Sequence, residues 1–301
     1  MRARRSLVDL SDLTVPEIYA LFDRAEAFEA ADPGRLLSGT SCVNLFFEQS
    51  TRTFTSFNLA ELRLGANVVN LWPKDMSLAT KGETIEDTAA TLSAMGVNVV
   101  VVRHSKPGFP NLIMSAFEGH VINAGDGAHA HPTQGLLDLF TIRREFGRIE
   151  GLRVALIGDI VHSRVANSTV NGLLQLGAEV VLVGPEVLLP ASYSRDGVEI
   201  ERDFERMLPE VDVVILLRIQ RERFNAETMS DADFIAGYQL NAARLPKLKP
   251  GAIVMHPGPY NRGMELDDAV TEFTGWRYAR QVHNGVYVRM AVLDFLVNGA
   301  A

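Results

Sequence analysis

Ser41-Cys-Val-Asn-Leu-Phe-Phe-Glu-Gln-Ser50-Thr-Arg-Thr53 is an apolar run that breaks into a hydroxyl-rich turn and then a helical pattern. The run reads as a strand over Ser41 to Phe47 that feeds a helix, which is half of a βαβ unit. The same rhythm extends in both directions along the chain. Strands are predicted at Asn67 to Leu71, Val97 to Arg103 and His120 to Ala124. A helix is predicted over Thr84 to Met95, opened by the capping-box spacing Thr80-Lys-Gly-Glu83 and closed at Gly96. Another starts at Pro132, whose fixed φ suits the first helical position, and runs to Phe146 as a bridge between two domains. After Gly147 the rhythm restarts, with strands at Val154 to Ile157, Glu179 to Val183, Val211 to Leu217 and Ala252 to Met255, and a helix at Ala166 to Leu176. An apolar helix from about Gly285 ends the chain. The expected fold is therefore α/β, with two domains that are each a parallel β-sheet flanked by helices. The first domain is expected at 1–134 with the C-terminal helix 285–301, and the second at 150–284.

Length and composition agree with that reading. The 301 residues suit two domains, and 47% hydrophobic with 22% charged residues describes an ordinary globular chain. The longest apolar stretch, Val97 to Val102, is interrupted by Asn98 and is far short of a membrane span. The basic start Met1 to Arg5 is followed by Asp9 and Asp12 where a secretory signal needs apolar residues, so the cytoplasm is the expected location. The single cysteine, Cys42, reads as a buried strand residue. A net charge of −8 and the lack of a basic tract beyond the first five residues argue against a nucleic-acid partner. Small anions remain possible, because a few converging arginines bind a phosphate or carboxylate whatever the total charge.

Such clusters stand at several strand ends. At Ser50-Thr-Arg-Thr53, free backbone N–H groups at a helix start, three hydroxyls and the fork of Arg52 could hold a phosphate. Alternatively the hydroxyls only cap the helix and Arg52 is a surface charge. His131 and Gln134 lie just before and within the next helix start, where His131 could donate to a carbonyl oxygen and Gln134 could orient an amide. His131 could equally be a capping residue, and His129-x-His131 could be half of a metal site of the amidohydrolase type, although no second ligand pair stands at metal spacing. Arg103 ends a run of valines, as either a solvated terminus or a ligand group. Gly158 to Arg164 lacks the glycines of a dinucleotide fingerprint but puts Arg164 at a helix entrance. Arg218 and Gln220 share one side of a strand end, with Ile219 opposite. Two arginines at neighbouring strand ends suit a dicarboxylate, and pairing with Glu48 or Glu222 is the structural alternative. The loop Trp72 to Gly82 is polar and long, and Met255-His-Pro-Gly-Pro-Tyr-Asn-Arg-Gly263 is stiff enough to present carbonyls.

Taken in order, Ser50-Thr-Arg-Thr53, Ser77 with Lys81-Gly-Glu, Arg103-His, His131-Pro-Thr-Gln134, Arg164, Arg218-x-Gln220 and His256-Pro-x-Pro259 resemble the motifs of aspartate carbamoyltransferase catalytic chains over almost the whole sequence. Ornithine carbamoyltransferases share the phosphate motif but carry His-Cys-Leu-Pro where this chain has His256-Pro-Gly-Pro. The resemblance implies transfer of a carbamoyl group from carbamoyl phosphate to the α-amine of L-aspartate in pyrimidine synthesis, without metal or organic cofactor. It implies that Ser50, Thr51, Arg52, Thr53 and Arg103 bind the phosphate and carbonyl oxygen, and that His131 donates to that oxygen. Gln134 with the carbonyls near Pro257 and Gly258 would hold the carbamoyl NH2, and Arg164, Arg218 and Gln220 would bind the aspartate carboxylates. Ser77 and Lys81 would reach into a neighbouring subunit's site in a homotrimer, and Glu48 would bridge the closed domains through Arg164 and Arg223. The form of the proline loop resembles family members that work without a regulatory chain or beside dihydroorotase. This chain departs from the family pattern at Phe54, where a second arginine is usual, at Thr80, often a lysine, and at Gly258, usually leucine. A non-catalytic paralogue that keeps the pocket is the remaining alternative.

Overall fold

The computed structural model describes residues 5–72, 81–220 and 229–299. The chain divides into two compact units, 1–140 with 282–301 and 141–281. The first contains α1 (Val15–Ala30), β1 (Ser41–Phe46), α2 (Thr51–Arg63), β2 (Asn67–Leu71), α3 (Ile85–Ala94), β3 (Val99–His104), α4 (Phe109–Ala116), β4 (His120–Asp126) and the start of α5 (Pro132–Phe146). Its sheet is wholly parallel in the order β2-β1-β3-β4. Val99 to Val102 are each 0% exposed, which explains why β3 is a continuous apolar run instead of an alternating one: helices cover both faces. On one face Val43, Leu45, Val100, Val102 and Val121 pack on Ile85, Ala89 and Leu92 of α3 and on Phe109 and Ile113 of α4.

The second unit takes in the end of α5, β5 (Arg153–Ile157), α6 (Arg164–Gln175), β6 (Glu179–Val183), β7 (Val198–Glu201), α7 (Phe204–Met207), β8 (Val213–Leu216), α8 (Asp231–Tyr238), β9 (Ile253–Met255), α9 (Asp268–Glu272) and the start of α10 (Tyr278–Asn298). Its parallel sheet runs β7-β6-β5-β8-β9. Ala155, Ile157, Val181, Val183, Val214, Leu216 and Val254 form its core with Phe204, Met207 and Leu208. The chain passes from one unit to the other inside α5 and again inside α10.

Several boundaries differ from the sequence reading. Helix α3 is opened by Thr84, whose side chain accepts from the Asp87 N–H, and not by the Thr80-to-Glu83 spacing; Thr80 lies outside the described residues. Helix α6 starts at Arg164 itself, capped by Ser163. Helix α10 begins at Tyr278, because its first two turns are too polar to register as apolar periodicity and Gly285 sits within it. Helix α1 is an element additional to those expected, and Thr14 and Glu17 form a capping box with Pro16 at its start.

Candidate active site

In the first sheet β1 lies between β2 and β3, so the carboxyl ends of β1 and β3 flank the place where strand order reverses and open α/β sheets bind ligands. Register puts Phe46 beside Arg103, and the Phe47 N–H donates to the Arg103 carbonyl at 2.9 Å. Arg103 is thereby fixed next to the turn that enters α2. Ser50 is the N-cap of that helix in extended conformation, and its side chain makes no cap hydrogen bond. The N–H groups of the first helical turn and the positive end of the helix dipole therefore face outward, an arrangement that suits an anion.

Thr53 on the first turn is buried, and its Oγ1 lies 3.4 Å from His131 Nε2. His131 enters α5 through its carbonyl, which accepts from the N–H groups of Gln134 and Gly135 at 3.0 and 3.1 Å. Its side chain is thus turned to Thr53 instead of capping the helix, and it is only 4% exposed. His129 points elsewhere: its Nδ1 is 3.1 Å from Asp126 Oδ2, and its side chain is half exposed. The two histidines are not presented as a ligand pair. Among the described residues no group of three His, Cys, Asp or Glu side chains could hold a metal ion.

Arg103 is 3.4 Å from Glu48 through Nε and donates from Nη1 to the Ala124 carbonyl at 3.0 Å. Glu48 thus has in Arg103 a partner on its own unit that the sequence did not suggest, while Arg223, one of its two expected partners, and Ser77 lie outside the described residues. Lys81 is exposed at the bend before α3. Gln134, 8% exposed, donates from Nε2 to Asp138 Oδ1 at 2.9 Å. Phe54 packs edge-on against Phe46 and tilted against Trp72, at ring distances of 5.3 and 4.9 Å. An aromatic residue at this position therefore closes a small cluster where the family pattern places a cation. His104 stacks on Phe109 at 3.7 Å, and its Nδ1 accepts from the Lys106 N–H at 2.8 Å. Burial holds its pKa below the usual histidine value, so the ring beside Arg103 stays neutral at pH 7.

The second unit repeats the device. Strand β5 lies between β6 and β8, with Ile157 beside Leu216, so the loops that follow β5 and β8 adjoin where the strand order reverses. Gly158 makes this possible: its φ is +120°, and a Cβ there would sit 2.8 Å from the Leu217 carbonyl oxygen. Asp159, 0% exposed, accepts from the His162 N–H at 3.2 Å, His162 Nδ1 at 2.8 Å and the Gln220 N–H at 3.2 Å. One buried carboxylate thus ties the loop bearing Arg164 to the strand end bearing Arg218 and Gln220. Ile219 is buried while Arg218 and Gln220 are half-buried, and Gln220 Nε2 donates to the His162 carbonyl at 2.8 Å.

After β9, the buried His256 organises the proline loop. Its Nδ1 accepts from the Gly258 N–H at 2.8 Å, so its Nε2 carries the proton toward Glu265 Oε1, 3.3 Å away. The Asn261 N–H donates to the same Glu265 oxygen at 2.6 Å. Gly258 has a φ of +69°, which explains glycine there better than a branched side chain would. With the Gly258 N–H consumed internally, the loop has its carbonyl oxygens to offer a ligand.

Asp126, Asp159 and Glu265 were absent from the sequence reading. Asp126, 1% exposed, accepts from the Gly108 and Ala130 N–H groups at 2.7 and 3.1 Å and from Asn123 Nδ2 at 2.8 Å. An acidic residue directly after an apolar strand, as in His120 to Asp126 and Val154 to Asp159, was the available signal.

The two units match two family models. Residues 5–144 match the aspartate/ornithine carbamoyltransferase carbamoyl-P binding domain, and residues 150–296 the Asp/Orn binding domain. The chain is 49% identical to the aspartate carbamoyltransferase catalytic subunit of Granulibacter bethesdensis, over 97% of this chain and 95% of that protein. The catalytic subunit of Caulobacter vibrioides is 48% identical over 97% and 90%. Among solved structures, aspartate transcarbamoylase from Trypanosoma cruzi in complex with carbamoyl aspartate and phosphate superposes with a TM-score of 0.88 at 34% identity, covering 96% and 95% of the two chains. The catalytic subunit of M. jannaschii aspartate transcarbamoylase gives 0.87 at 32% identity, covering 98% of each.

Proposed function

The chain belongs to the aspartate/ornithine carbamoyltransferase family, and from that premise we propose that it transfers the carbamoyl group of carbamoyl phosphate to the α-amine of L-aspartate, releasing N-carbamoyl-L-aspartate and phosphate. The observation that carries this reading is the buried contact of Thr53 with His131 beside Arg103, at the mouth of an anion-binding helix start. Aspartate is favoured over ornithine as acceptor because the loop after β9 reads His256-Pro-Gly-Pro and the strand ends of the second unit carry Arg164 and Arg218, which suit two carboxylates.

In this reading Ser50, Thr51, Arg52 and Thr53 hold the phosphate, Arg103 and His131 meet the carbonyl oxygen, and Gln134 with the Pro257 and Gly258 carbonyls accepts from the carbamoyl NH2. Arg164, Arg218 and Gln220 hold the aspartate. The amine nitrogen bonds to the carbamoyl carbon, negative charge gathers on the carbonyl oxygen, and donors already in place at Thr53, Arg103 and His131 stabilise it. The carbon–oxygen bond to phosphate then breaks, its electron pair leaves with the phosphate, and the attacking nitrogen loses one proton to the departing phosphate or to water. Both substrates are anions, so the arginines offset their repulsion as well as orient them.

The assembly we propose is a cytoplasmic homotrimer in which Lys81 and Ser77 serve a neighbour's site. Its support in the first unit is apolar surface left on α2 and at the end of β2: Leu59 is 40% exposed, Leu62 60% and Trp72 39%. The decisive assay is carbamoyl aspartate formation by the purified chain in the presence of a chelator. Formation is expected; binding of carbamoyl phosphate without turnover would favour a non-catalytic paralogue, and no formation together with stoichiometric zinc in the purified protein would favour a metal-dependent amidohydrolase.

A further inference from the structure

Beneath Gln134 lies a charged pair for which the reaction described above has no use. Arg289 on α10 is 3% exposed, donates from Nη1 to the Gly285 carbonyl at 3.0 Å, and places its guanidinium 5.0 Å from the Phe57 ring centre on α2. Asp138 on α5 is 0% exposed and close enough to act on that guanidinium, as is Arg103. Burial pulls the arginine's pKa down to about 9, against the opposing pull of Asp138. Space for the guanidinium depends on Gly285, where a Cβ would lie 2.6 Å from Arg289 Nη1 and 3.1 Å from Leu137 Cδ2. A buried guanidinium is costly unless it is paired and hydrogen-bonded, and here the Gly285 carbonyl and the nearby Asp138 offset that cost.

Gln134 Nε2 donates to Asp138 Oδ1, so the NH2 end of the Gln134 amide faces Asp138 and the other end, the Oε1 acceptor, is turned away from it. We propose that the buried Asp138 is a positioning residue that locks the Gln134 amide with its acceptor oxygen toward the ligand and thereby selects a carbamoyl NH2 over a methyl group. This rests on the reading of Gln134 as the acceptor for that NH2. A site built to hydrogen-bond an N–H discriminates against an analogue that lacks it, and loses that discrimination when the acceptor can turn over.

The test compares carbamoyl phosphate with acetyl phosphate, which has CH3 in place of NH2, in wild type, Asp138→Asn and Gln134→Ala. Asparagine accepts or donates equally well and so releases the lock without changing size. Asp138→Asn is expected to lower kcat/KM for carbamoyl phosphate about tenfold while changing the inhibition constant of acetyl phosphate less than about twofold. Gln134→Ala should show the same selectivity. Equal loss toward both ligands, or no loss, in Asp138→Asn with selective loss in Gln134→Ala would overturn the positioning role. No selectivity in Gln134→Ala would instead overturn the role of Gln134 itself. If Asp138→Asn does not fold, Gly285→Ala, which displaces the guanidinium and keeps every hydrogen-bonding group, should give the same selective loss at about threefold; a loss shared by both ligands refutes the proposal there too.

Discussion

Replacing Glu61 with glutamine should remove a loss of stability that the wild-type chain suffers as the solution turns mildly alkaline. Glu61 is on the inner face of α2, 0% exposed, and accepts from Asn44 Nδ2 at 2.7 Å. Its other oxygen, like Asn44 Oδ1, is buried without a hydrogen-bond partner among the described residues. Burial raises its pKa from 4.5 to about 8, outweighing the opposite effect of the Asn44 bond. In the unfolded chain the carboxyl ionises near pH 4.5, so folding at neutral pH takes up a proton. The stability linked to that proton is complete below pH 4.5 and disappears as the pH rises through 8. Applied to these two values, the linkage relation gives a loss of about 3 kcal/mol between pH 6 and pH 9. For a unit of this size that is about 6 to 12 °C in Tm. Glutamine accepts the same Asn44 bond and can donate toward the unmatched Asn44 oxygen, so Glu61→Gln should match wild type at pH 6 and exceed it at pH 9. Calorimetric melting of both proteins at the two pH values measures the difference. Curves that fall in parallel with pH would refute a neutral, buried Glu61.

Three further outcomes follow from the proposed site. His131→Ala should lower kcat by about 10² to 10³, the loss expected for one donor to a developing oxyanion, and an unchanged kcat in steady-state assay would remove His131 from the chemistry. Arg164→Ala should raise KM for aspartate at least about tenfold with little change in KM for carbamoyl phosphate, because a charge-assisted contact to a carboxylate contributes about 1.5 to 3 kcal/mol; equal shifts in both would argue against the division of roles. Mixing inactive Lys81→Ala with inactive Arg52→Ala chains should restore part of the activity through hybrid oligomers. If activity stays absent while native mass spectrometry shows subunit exchange, each site is complete within one chain.

The alternation of apolar strands and helices was readable because a parallel sheet covered on both faces needs continuous runs such as Val99 to Val102. The hydroxyl-rich turn after β1 and the arginines at strand ends were readable for a related reason: polar residues directly after such runs stand at the ligand-binding edge. What the sequence hid were interactions between residues distant in the chain. Nothing near Phe54 announces its packing on Trp72, and nothing near Gly285 announces that an arginine four residues later needs its missing side chain. Helix α1 is different, because its start is a local signal: the Thr14-to-Glu17 capping box and Pro16 are contiguous in the chain.

Asp126 and Asp159 bring the two units under one physical rule. Each lies at or just beyond the end of a buried strand and is essentially without exposed surface; Asp126 accepts from N–H groups of the loop that bears His131 and of the turn before α4, and Asp159 from those of the loops that bear Arg164 and Gln220. Loops that must meet anions cannot be fixed by apolar packing, because the groups they present have to stay polar and accessible. A buried carboxylate at the sheet end solves this by gathering the backbone donors of the loop. The rule separates acids that organise a binding loop from acids that would spoil it, and the distinction is one of hydrogen-bond accounting that residue type alone cannot supply.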